Sequence, residues 1–318
     1  MLARPLDTAL DRLVVPGWSR IGWALRRPGF EAPPPDALAG RSALVTGAGS
    51  GIGTAAATGF ARLGARVHLL VRNRERGERT LAEIAAEVPG AQLELEVCDV
   101  SLLASVRAFA TAFAARVPDL GVLVHNAGVL PERRIETVEG HELTFATHVL
   151  GPHLLSRLLP AGRTIWVSSG GMYAQRLRVD DLQYRAGGYD GTTAYARTKR
   201  MQVALAEEWA LHRPERVTHA MHPGWVDTPG LAESLSAFHR LARPLLRTPE
   251  QGADTIVWLA AAAAPGRCNG RFWQDRRPRP THLLGRGGDD PADRRTLWDA
   301  CEALTAPPVT AGPGAPAS

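Results

Sequence analysis

Short apolar runs of β type alternate with longer helical patterns along most of this chain, and the alternation strongly constrains its fold. The predicted strands cover residues 42–46, 66–71, 92–97, 121–125, 163–168 and 216–221, with one more near 271–275. The predicted helices between them fall near 51–64, 74–88, 101–116, 141–160 and 192–213. Parallel strands require crossovers, and helical crossovers cover both faces of a sheet. The sequence therefore predicts one α/β domain over residues 41–304, a doubly wound parallel sheet flanked by helices on both faces.

Both ends of the chain differ from this core. Residues 1–40 form an arm that mixes Leu, Val, Ile and Trp with Arg, and the EAPPP segment at 31–35 breaks any helix there. Two interpretations stay open: an amphipathic segment on a membrane surface, which Trp and Arg suit, or an arm packed against the domain. Pro16 and Gly17 interrupt the helical pattern, which favours the packed arm. Residues 305–318 are rich in Pro, Gly and Ala, which predicts a disordered tail.

Composition narrows the classes of function. The 318 residues carry 37 Lys and Arg against 32 Asp and Glu, a net charge of +5, with no long basic run, so we expect no nucleic-acid partner. Cys98, Cys268 and Cys301 lack metal-ligand spacing, which predicts a reducing compartment and no metal site. No secretory signal or bilayer-spanning stretch is recognisable. We expect a cytoplasmic protein, with peripheral membrane contact through the arm left open.

The segment TGAGSGIG at residues 46–53 follows the first predicted strand and opens an Ala-rich helix. Glycines here let the backbone turn tightly and approach a diphosphate, whose charge faces the helix N-terminus. A plain strand-to-helix turn is the alternative, but the TGxxxGxG spacing at the first strand of an α/β chain favours dinucleotide binding. The predicted binding residues are Gly47, Ser50, Gly51, Ile52 and Gly53.

The ends of the second and third strands bear on cofactor choice. Val71 stands where a NAD-specific enzyme commonly has an acid, and Arg72 and Arg76 follow it. A guanidinium here can pair with a 2′-phosphate, so we expect NADP(H) to be preferred over NAD(H), unless both are ordinary surface charges. Asp99, followed by Val100, is predicted to contact the adenine, although an Asp at a strand end is also a common helix cap.

Tyr195 and Lys199 lie four residues apart in YARTK, so on a helix they share a face. A phenol has a pKa of about 10, and a nearby ammonium favours the phenolate. The pair follows a Ser pair at 168–169 and precedes HPGWVDT at 222–228. This order predicts a site that moves a proton while a bound cofactor moves a hydride.

The motifs TGAGSGIG, CDV, HNAG, VSSGGM, YARTK and HPGWVDTPG together resemble the short-chain dehydrogenase/reductase family over roughly residues 38–285. Finer matches such as AYARTKR and QGADTIVWLA are similar to one subgroup of it. The resemblance implies a Rossmann-type fold and alcohol–carbonyl chemistry, with Tyr195 as general acid/base and Lys199 as its electrostatic partner and ribose ligand. It also implies that Ser169, rather than Ser168, binds the substrate oxygen. The family positions that would line the cofactor are Asn126, Ala127, Gly128, Pro223, Gly224, Val226 and Thr228.

One position departs from the family pattern. His148 stands where the family usually has an Asn that helps hold a water relaying protons to Lys. We expect His148 to bind a water through a ring nitrogen and to titrate near neutrality, which would keep the relay working. The alternative is a broken relay in a silent dinucleotide-binding sensor or scaffold. His125, in place of the usual Asn of HNAG, is a milder departure that packing alone would explain.

The family resemblance makes residues 229–248 a lid over the substrate. The lid residues predicted to form an apolar face are Leu231, Leu235, Phe238, Leu241, Leu245 and Leu246. This face favours a small hydrophobic alcohol or carbonyl such as a lipid, retinoid or steroid, unless it only packs the lid onto the domain. Met172, Tyr173 and Trp225 are predicted to line the same pocket. Relatives in the family are often dimers or tetramers, so a homo-oligomer is an open expectation.

Overall fold

The computed structural model describes residues 4–282 and 288–307, and its central feature is one eight-stranded sheet. The strands are β1 (Ser42–Thr46), β2 (Arg66–Val71), β3 (Gln92–Val97), β4 (Leu120–His125), β5 (Arg163–Val167), β6 (Val217–Met221), β7 (Arg271–Gln274) and β8 (Arg277–Pro278). Their order is β3-β2-β1-β4-β5-β6-β7-β8, and all neighbours are parallel except the last pair. The predicted fold class is confirmed.

Helices cover both faces of this sheet. The helices are α1 (Arg4–Arg12), α2 (Val14–Trp18), α3 (Arg20–Arg26), α4 (Gly51–Arg62), α5 (Arg74–Glu87), α6 (Leu103–Arg116), α7 (Leu143–Phe145), α8 (Gly151–Leu158), α9 (Gly191–His212), α10 (Pro229–Ser234), α11 (Ser236–Ala242), α12 (Pro249–Ala261) and α13 (Pro291–Leu304). Within residues 4–282 and 288–307, no helix is both long enough and apolar enough to cross a bilayer.

Alternation along the strands divides the interior into two apolar layers. Leu44 of β1 faces the layer built with α6, α8, α9 and α13, whereas its neighbours Ala43 and Val45 face the layer built with α4, α5 and α12. All three side chains are fully buried, because a parallel strand has helices on both sides. The sheet is therefore a rigid platform for the loops at its edges.

The strand order places a crevice at the carboxyl edge of the sheet. From β1 the chain steps outward to β2 and β3, and then returns to place β4 on the other side of β1. The loops after β1 and β4 consequently leave in opposite directions, which opens a crevice where ligands of doubly wound sheets bind. The predicted site residues after β1, β4, β5 and β6 all follow carboxyl ends of strands at this edge.

The N-terminal arm packs on the body of the domain. It forms α1, α2 and α3, and buries Leu10 and Trp18 on its inner side. Pro16 and Gly17 lie within α2, which is only five residues long. A Cβ at Gly17 would lie 2.1 Å from the carbonyl oxygen of Leu10, so the arm folds tightly back on itself.

Some boundaries differ from the prediction. The predicted helix at 141–160 begins at Leu143 and contains a π-helical turn, Ala146–Leu150, and α12 and α13 were not among the predicted helices. The prediction that the disordered tail begins at residue 305 is wrong for that residue. Thr305 is fully buried, and its carbonyl oxygen accepts a hydrogen bond from Arg157. The predicted tail from 308 onward lies outside the described residues.

Candidate active site

The glycine-rich loop joins β1 to α4 at the carboxyl edge. Gly47 and Gly51 have φ angles of +66° and +56°, a region that side chains other than hydrogen rarely tolerate. A Cβ at Gly53 would lie 2.3 Å from the carbonyl oxygen of Gly47. Ser50 directly precedes the first turn of α4, and Ile52 lies within that turn. The loop thus presents bare backbone at a helix N-terminus, which fits a dinucleotide diphosphate.

Asn126 braces this loop from the end of β4. Its Nδ2 donates to the carbonyl oxygens of Thr46 and Gly47 at 2.9 and 3.3 Å. The backbone N–H groups of Asn126 and Ala127 both donate to Oγ1 of Thr46, at 2.9 and 3.0 Å. A Cβ at Gly47 would lie 2.8 Å from Cα of Ala127. Asn126 and Ala127 therefore lie directly against the glycine-rich loop, and Gly128 follows them in the chain.

Among the arginines after β2, Arg76 approaches the loop most closely by hydrogen bonding. Its Nε donates to the carbonyl oxygen of Gly49 at 3.0 Å. Arg72, the predicted phosphate ligand, is exposed. Gly49, Arg76 and Arg79 line one cleft beside the loop. The positive charge that the sequence predicts is present at this place, and Arg76 is its part nearest to the glycine-rich loop.

Asp99 caps the turn that follows β3. Its Oδ1 accepts from the backbone N–H and the hydroxyl of Ser101, at 2.9 and 2.6 Å. Oδ1 of Asp99 therefore acts as the predicted cap. An adenine contact through Oδ2 stays a prediction. Val100 is buried next to it.

Tyr195 and Lys199 lie one turn apart on α9, with Nζ of Lys199 5.4 Å from the centre of the Tyr195 ring. The ammonium is buried and donates to the carbonyl oxygen of Val167 at 2.8 Å. Burial lowers the pKa of Lys199 to about 7. Burial also raises the pKa of Tyr195, against the opposing hydrogen bond with Ser169. Burial of the phenol thus dominates the direction of this shift, and the predicted favouring of the phenolate by Lys199 stays a prediction.

The two serines after β5 have different environments. The hydroxyl of Ser168 is buried and donates to the carbonyl oxygen of Lys199 at 2.7 Å, which ties β5 to α9. Ser169 is half-buried, accepts from the N–H of Gly171 at 3.2 Å, and is close enough to Tyr195 to oppose the rise in the pKa of that phenol. The position of Ser169 beside the phenol is the one that the family resemblance implies for the substrate ligand.

His148 lies in the π-helical turn with both ring nitrogens engaged. Nε2 accepts from the N–H of Val129 at 2.9 Å, and Nδ1 lies 2.8 Å from Oγ1 of Thr198. Because the Thr198 hydroxyl donates to backbone carbonyls, the proton between them belongs on Nδ1 of His148. Burial and nearby Lys199 hold the pKa of His148 well below its usual value. The predictions that His148 binds a relay water through its ring and titrates near neutrality are therefore wrong.

Gln202 is the site residue that sequence reasoning missed. Its Oε1 accepts from Nζ of Lys199 at 3.0 Å, and its Nε2 donates to the carbonyl oxygen of His148 at 2.9 Å. All three residues are nearly or fully buried. The available signal was spacing, because a residue three positions after Lys199 faces the same side of a helix.

His125 has a packing role. Its Nε2 lies 2.7 Å from the hydroxyl of Ser156, and its ring contacts Trp166 at 4.5 Å between centres. Burial lowers the pKa of His125 to about 3. The packing interpretation of this departure agrees with the structure.

The segment after β6 reaches back to the glycine-rich loop. A Cβ at Gly51 would lie 3.0 Å from Cγ2 of Thr228. Gly224 has a φ angle of +81°, and the carbonyl oxygen of Pro223 accepts from Arg247 at 3.1 Å. The family positions Pro223, Gly224, Val226 and Thr228 all lie in this segment, and Thr228 contacts the glycine-rich loop.

Two of the three predicted pocket residues are partly accessible. Trp225 is half-buried and its ring meets Phe238 of α11 at 5.3 Å. Tyr173 is half-buried and its hydroxyl donates to the carbonyl oxygen of Pro280 at 2.7 Å. The prediction for Met172 is wrong, because its side chain is fully buried in the core, with Sδ 3.3 Å from Nη1 of Arg200.

The predicted apolar face of the lid is only partly covered. Phe238 is half-buried and Leu246 is buried, but Leu241 is 85% exposed. The lid therefore keeps one large apolar side chain in solvent, and its other predicted members, Leu231, Leu235 and Leu245, are half-buried.

The fold and this arrangement define a class of protein. A family model described as short chain dehydrogenase matches residues 41–170. Dehydrogenase/reductase SDR family member 12 of Bos taurus is 43% identical over 274 residues, which cover 83% of this chain and 86% of that protein. The chain belongs to the short-chain dehydrogenase/reductase family, as an oxidoreductase with an NAD(P)-binding Rossmann fold. The bovine relative represents the subgroup that the finer motifs predict.

Two further relatives extend this comparison. Retinol dehydrogenase 14 of Mus musculus is 31% identical over 297 residues, covering 85% of this chain and 87% of that protein. One solved structure, provisionally described as an NAD(P) dependent gluconate 5-dehydrogenase from Beutenbergia cavernae with bound NADP at low occupancy, is 28% identical. It superposes with a TM-score of 0.62 over 76% of this chain and 97% of its own.

Proposed function

We propose that this protein is an NADP(H)-dependent oxidoreductase that interconverts an alcohol and a carbonyl on a hydrophobic small molecule. The observation that carries the proposal is the cluster of Tyr195, Ser169 and buried Lys199, in which Nζ of Lys199 lies 5.4 Å from the centre of the Tyr195 ring. This group lies at the carboxyl edge of the sheet, where the glycine-rich loop also lies. A proton donor and a dinucleotide site at the same edge are what hydride transfer to a carbonyl requires.

The chain's residues fit a nicotinamide dinucleotide, which would supply or accept the hydride. Bare backbone at Gly47, Gly51 and Gly53 would hold the diphosphate, and the segment at 223–228 would hold the nicotinamide. Arg76 and Arg72 would meet a 2′-phosphate, because guanidinium groups pair strongly with phosphate. A related solved structure, described as NAD(P) dependent with NADP bound at low occupancy, supports dinucleotide binding, while the arginines carry the proposed preference.

Tyr195 is the group to which we assign proton transfer. Its raised pKa keeps the phenol protonated at neutral pH, so it can donate a proton to a carbonyl oxygen held by Ser169. In the reverse direction the phenolate would accept the proton of an alcohol, which becomes easier as pH rises.

Lys199 is assigned to orient the reacting groups. An ammonium has three N–H donors, and two of them serve Val167 and Gln202. We assign the third to the ribose of the cofactor. Gln202 and the carbonyl oxygen of His148 fix the ammonium in this orientation, so the change from Asn to His at 148 leaves Lys199 supported.

A silent dinucleotide-binding sensor or scaffold is the second candidate. The observation that favours it is the engagement of His148 with Val129 and Thr198, which leaves neither ring nitrogen for a water. Retention of Ser169, Tyr195 and Lys199 in one cluster favours the enzyme, because nucleotide binding alone does not require them.

The test mixes the protein with NADPH and a panel of apolar aldehydes and ketones and follows absorbance of the reduced nicotinamide. The enzyme proposal expects oxidation of NADPH that depends on the carbonyl compound. Binding of NADPH by calorimetry without turnover across the panel, and unchanged by His148→Asn, would support the silent candidate instead.

A peripheral membrane contact remains a proposal for the outer side of the arm. Leu6, Leu13, Val15, Ile21 and Leu25 are 45–57% exposed there. Exposed apolar side chains interspersed with Arg suit a lipid interface. Sedimentation with anionic vesicles tests it, since the double variant Leu13→Ser, Ile21→Ser should reduce the bound fraction. Binding equal to that of the wild type would exclude the arm as the membrane contact.

A homo-oligomer is also part of the proposal, and size-exclusion chromatography with light scattering tests it.

A further inference from the structure

Trp18 of the arm is inserted between two loops of the candidate active site. On one side lies the loop after β5, where a Cβ at Gly170 would come within 2.4 Å of the indole ring. The Tyr173 ring stacks on the same indole at 5.8 Å. Gly170 directly follows Ser169, so the indole packs against the backbone next to the serine that we assign to the substrate.

The other side of Trp18 holds the loop after β6. The indole contacts the rings of His222 and Trp225, at 5.1 and 6.3 Å. The carbonyl oxygen of Trp18 accepts from the N–H of Trp225 at 2.8 Å. A Cβ at Gly224 would lie 2.5 Å from that carbonyl oxygen. Trp18 therefore touches, by ring and by backbone, the segment that we assign to the nicotinamide.

A buried charge cluster holds this part of the arm in place. Asp275 accepts from Nη1 of Arg26 at 2.6 Å and from Nη1 and Nη2 of Arg247 at 2.6 and 2.9 Å. Arg247 also donates to the carbonyl oxygens of Gly17 and Ser19, both at 3.2 Å. Because the three charged side chains are at most 3% exposed, removing one partner would leave a charge buried and unpaired.

The first helix of the arm is held by a second ionic contact. Asp7 pairs with Arg26 at 2.7 Å and with Arg279 at 2.9 Å. Although burial opposes it, hydrogen bonds from Arg279 and Arg26 lower the pKa of Asp7 to about 2. The arm is thus fixed at both ends of the stretch that carries Trp18.

We propose that the arm is a positioning element of the active site, in which Trp18 sets the separation between the Ser169 loop and the loop at 222–228. The proposal rests on the proposed function for its catalytic meaning. The bases of the two loops are held by the sheet, where the N–H of Ser168 donates to the carbonyl oxygen of Met221 at 2.8 Å, so the structural part of the proposal concerns the residues beyond, at 170–173 and 224–225. A purely structural anchor would alter global stability and leave these loops unchanged.

The experiment compares Trp18→Ala and Trp18→Phe in the full chain, with Trp23→Ala as the matched control. Trp23 belongs to the same arm, but its ring meets Phe30 and Arg27 instead of the two loops. Hydrogen–deuterium exchange at 168–173 and 222–228, the dissociation constant for NADP and kcat/KM are measured for each variant.

We expect Trp18→Ala to raise exchange in both loops and to lower kcat/KM about tenfold or more, with partial recovery in Trp18→Phe. Trp23→Ala should stay within about twofold of the wild type. Unchanged exchange and unchanged kcat/KM in a folded Trp18→Ala would overturn the proposal. If Trp18→Ala does not fold, Trp18→Phe alone tests the proposal. Exchange at both loops equal to that of the wild type would then refute the positioning role of Trp18.

The exchange measurement separates this proposal from the proposed function. If the wild type fails to turn over any carbonyl compound, loosening of both loops in Trp18→Ala would still support a positioning role for the arm. If the wild type is active and exchange in both loops is unchanged in Trp18→Ala, the proposed function stands and the positioning role of Trp18 is refuted.

Discussion

Nζ of Lys199 and Oε1 of Gln202, one helical turn apart on α9, are joined by a buried hydrogen bond of 3.0 Å. The same amide reaches the carbonyl oxygen of His148 in the π-helical turn at 2.9 Å. A side chain thus bridges the ammonium and this turn, where the family resemblance implies a water. An amide holds a proton donor in place but is a poor proton relay, so the bridge orients Lys199 instead of resupplying it with protons.

Replacing Gln202 should therefore impair catalysis while leaving the fold. Gln202→Leu keeps the volume but removes the acceptor for Lys199, and we expect kcat to fall roughly tenfold, since a hydrogen bond to a charged group contributes about 1.5–3 kcal/mol. Gln251→Leu, a helix-cap change in α12, serves as the control. Steady-state kinetics give kcat, and thermal melts check that both variants are folded. Equal kcat in the two variants would contradict the role of Gln202 in orienting Lys199.

Gln202→Glu gives a second readout. A carboxylate beside Lys199 would raise the pKa of the ammonium from its lowered value near 7. We expect any limb of the pH–rate profile that depends on the Lys199 charge to move to higher pH. A profile identical to that of the wild type would mean that Lys199 does not govern it.

The buried ammonium of Lys199 should also affect stability with a definite sign. Its pKa is lowered to about 7 from 10.5, so between these values the unfolded chain binds more protons than the native protein. Its destabilising effect is complete below pH 7 and fades as pH rises toward 10.5. Lys199→Met should therefore be stabilised relative to the wild type more at pH 6 than at pH 9. We expect the two gains in free energy of unfolding to differ by on the order of 2 kcal/mol. Denaturant unfolding at both pH values measures this difference, and a gain independent of pH would contradict it.

Cofactor preference is expected to depend on Arg76. Its side chain already contacts Gly49 of the glycine-rich loop, so Arg76→Ala should raise KM for NADPH roughly tenfold while changing KM for NADH little. Arg74→Ala is the matched control, because Arg74 is exposed on the same helix and pairs with Glu78. Equal effects on both cofactors would show that Arg76 supports the loop without recognising a 2′-phosphate, and Arg72→Ala then tests the originally predicted ligand.

His148 should contribute no ionisation near the usual pKa of histidine. Burial and Lys199 hold its pKa well below the usual value, so His148→Asn should leave the shape of the pH–rate profile unchanged. The variant should lose stability by about 1–3 kcal/mol, because the N–H of Val129 and the hydroxyl of Thr198 lose their partners. Loss of a limb near pH 6.5 in His148→Asn would restore the relay role that the sequence suggested.

The sheet was largely predictable because its pattern is local. Strands such as β2 and β3 match their predicted bounds, since β2 is a largely apolar run and β3 alternates Leu and Val with Gln and Glu. The Gly47, Gly51 and Gly53 loop was equally clear, because positive φ and close backbone contacts demand glycine at fixed spacing.

The environment of each titratable group was not predictable from spacing. The position of Lys199 near Tyr195 follows from a four-residue interval, but the pKa directions depend on burial that tertiary packing creates. The sequence suggested a water ligand at His148. In the fold, α9 packs beside the π-helical turn, and the His148 ring hydrogen-bonds Val129 and Thr198 instead. The contact of Trp18 with Trp225 joins residues too distant in sequence for any local pattern to reveal.

The most direct measurement is single-turnover oxidation of NADPH by a verified carbonyl substrate in the wild type, Tyr195→Phe and Tyr189→Phe. Tyr189 is the control, since its hydroxyl contacts Glu142 outside the site at 3.1 Å. We expect Tyr195→Phe to bind NADPH normally but to transfer hydride at least about a hundredfold more slowly, within the usual range for losing a general acid, while Tyr189→Phe reacts like the wild type. Hydride transfer at the wild-type rate in Tyr195→Phe would contradict it.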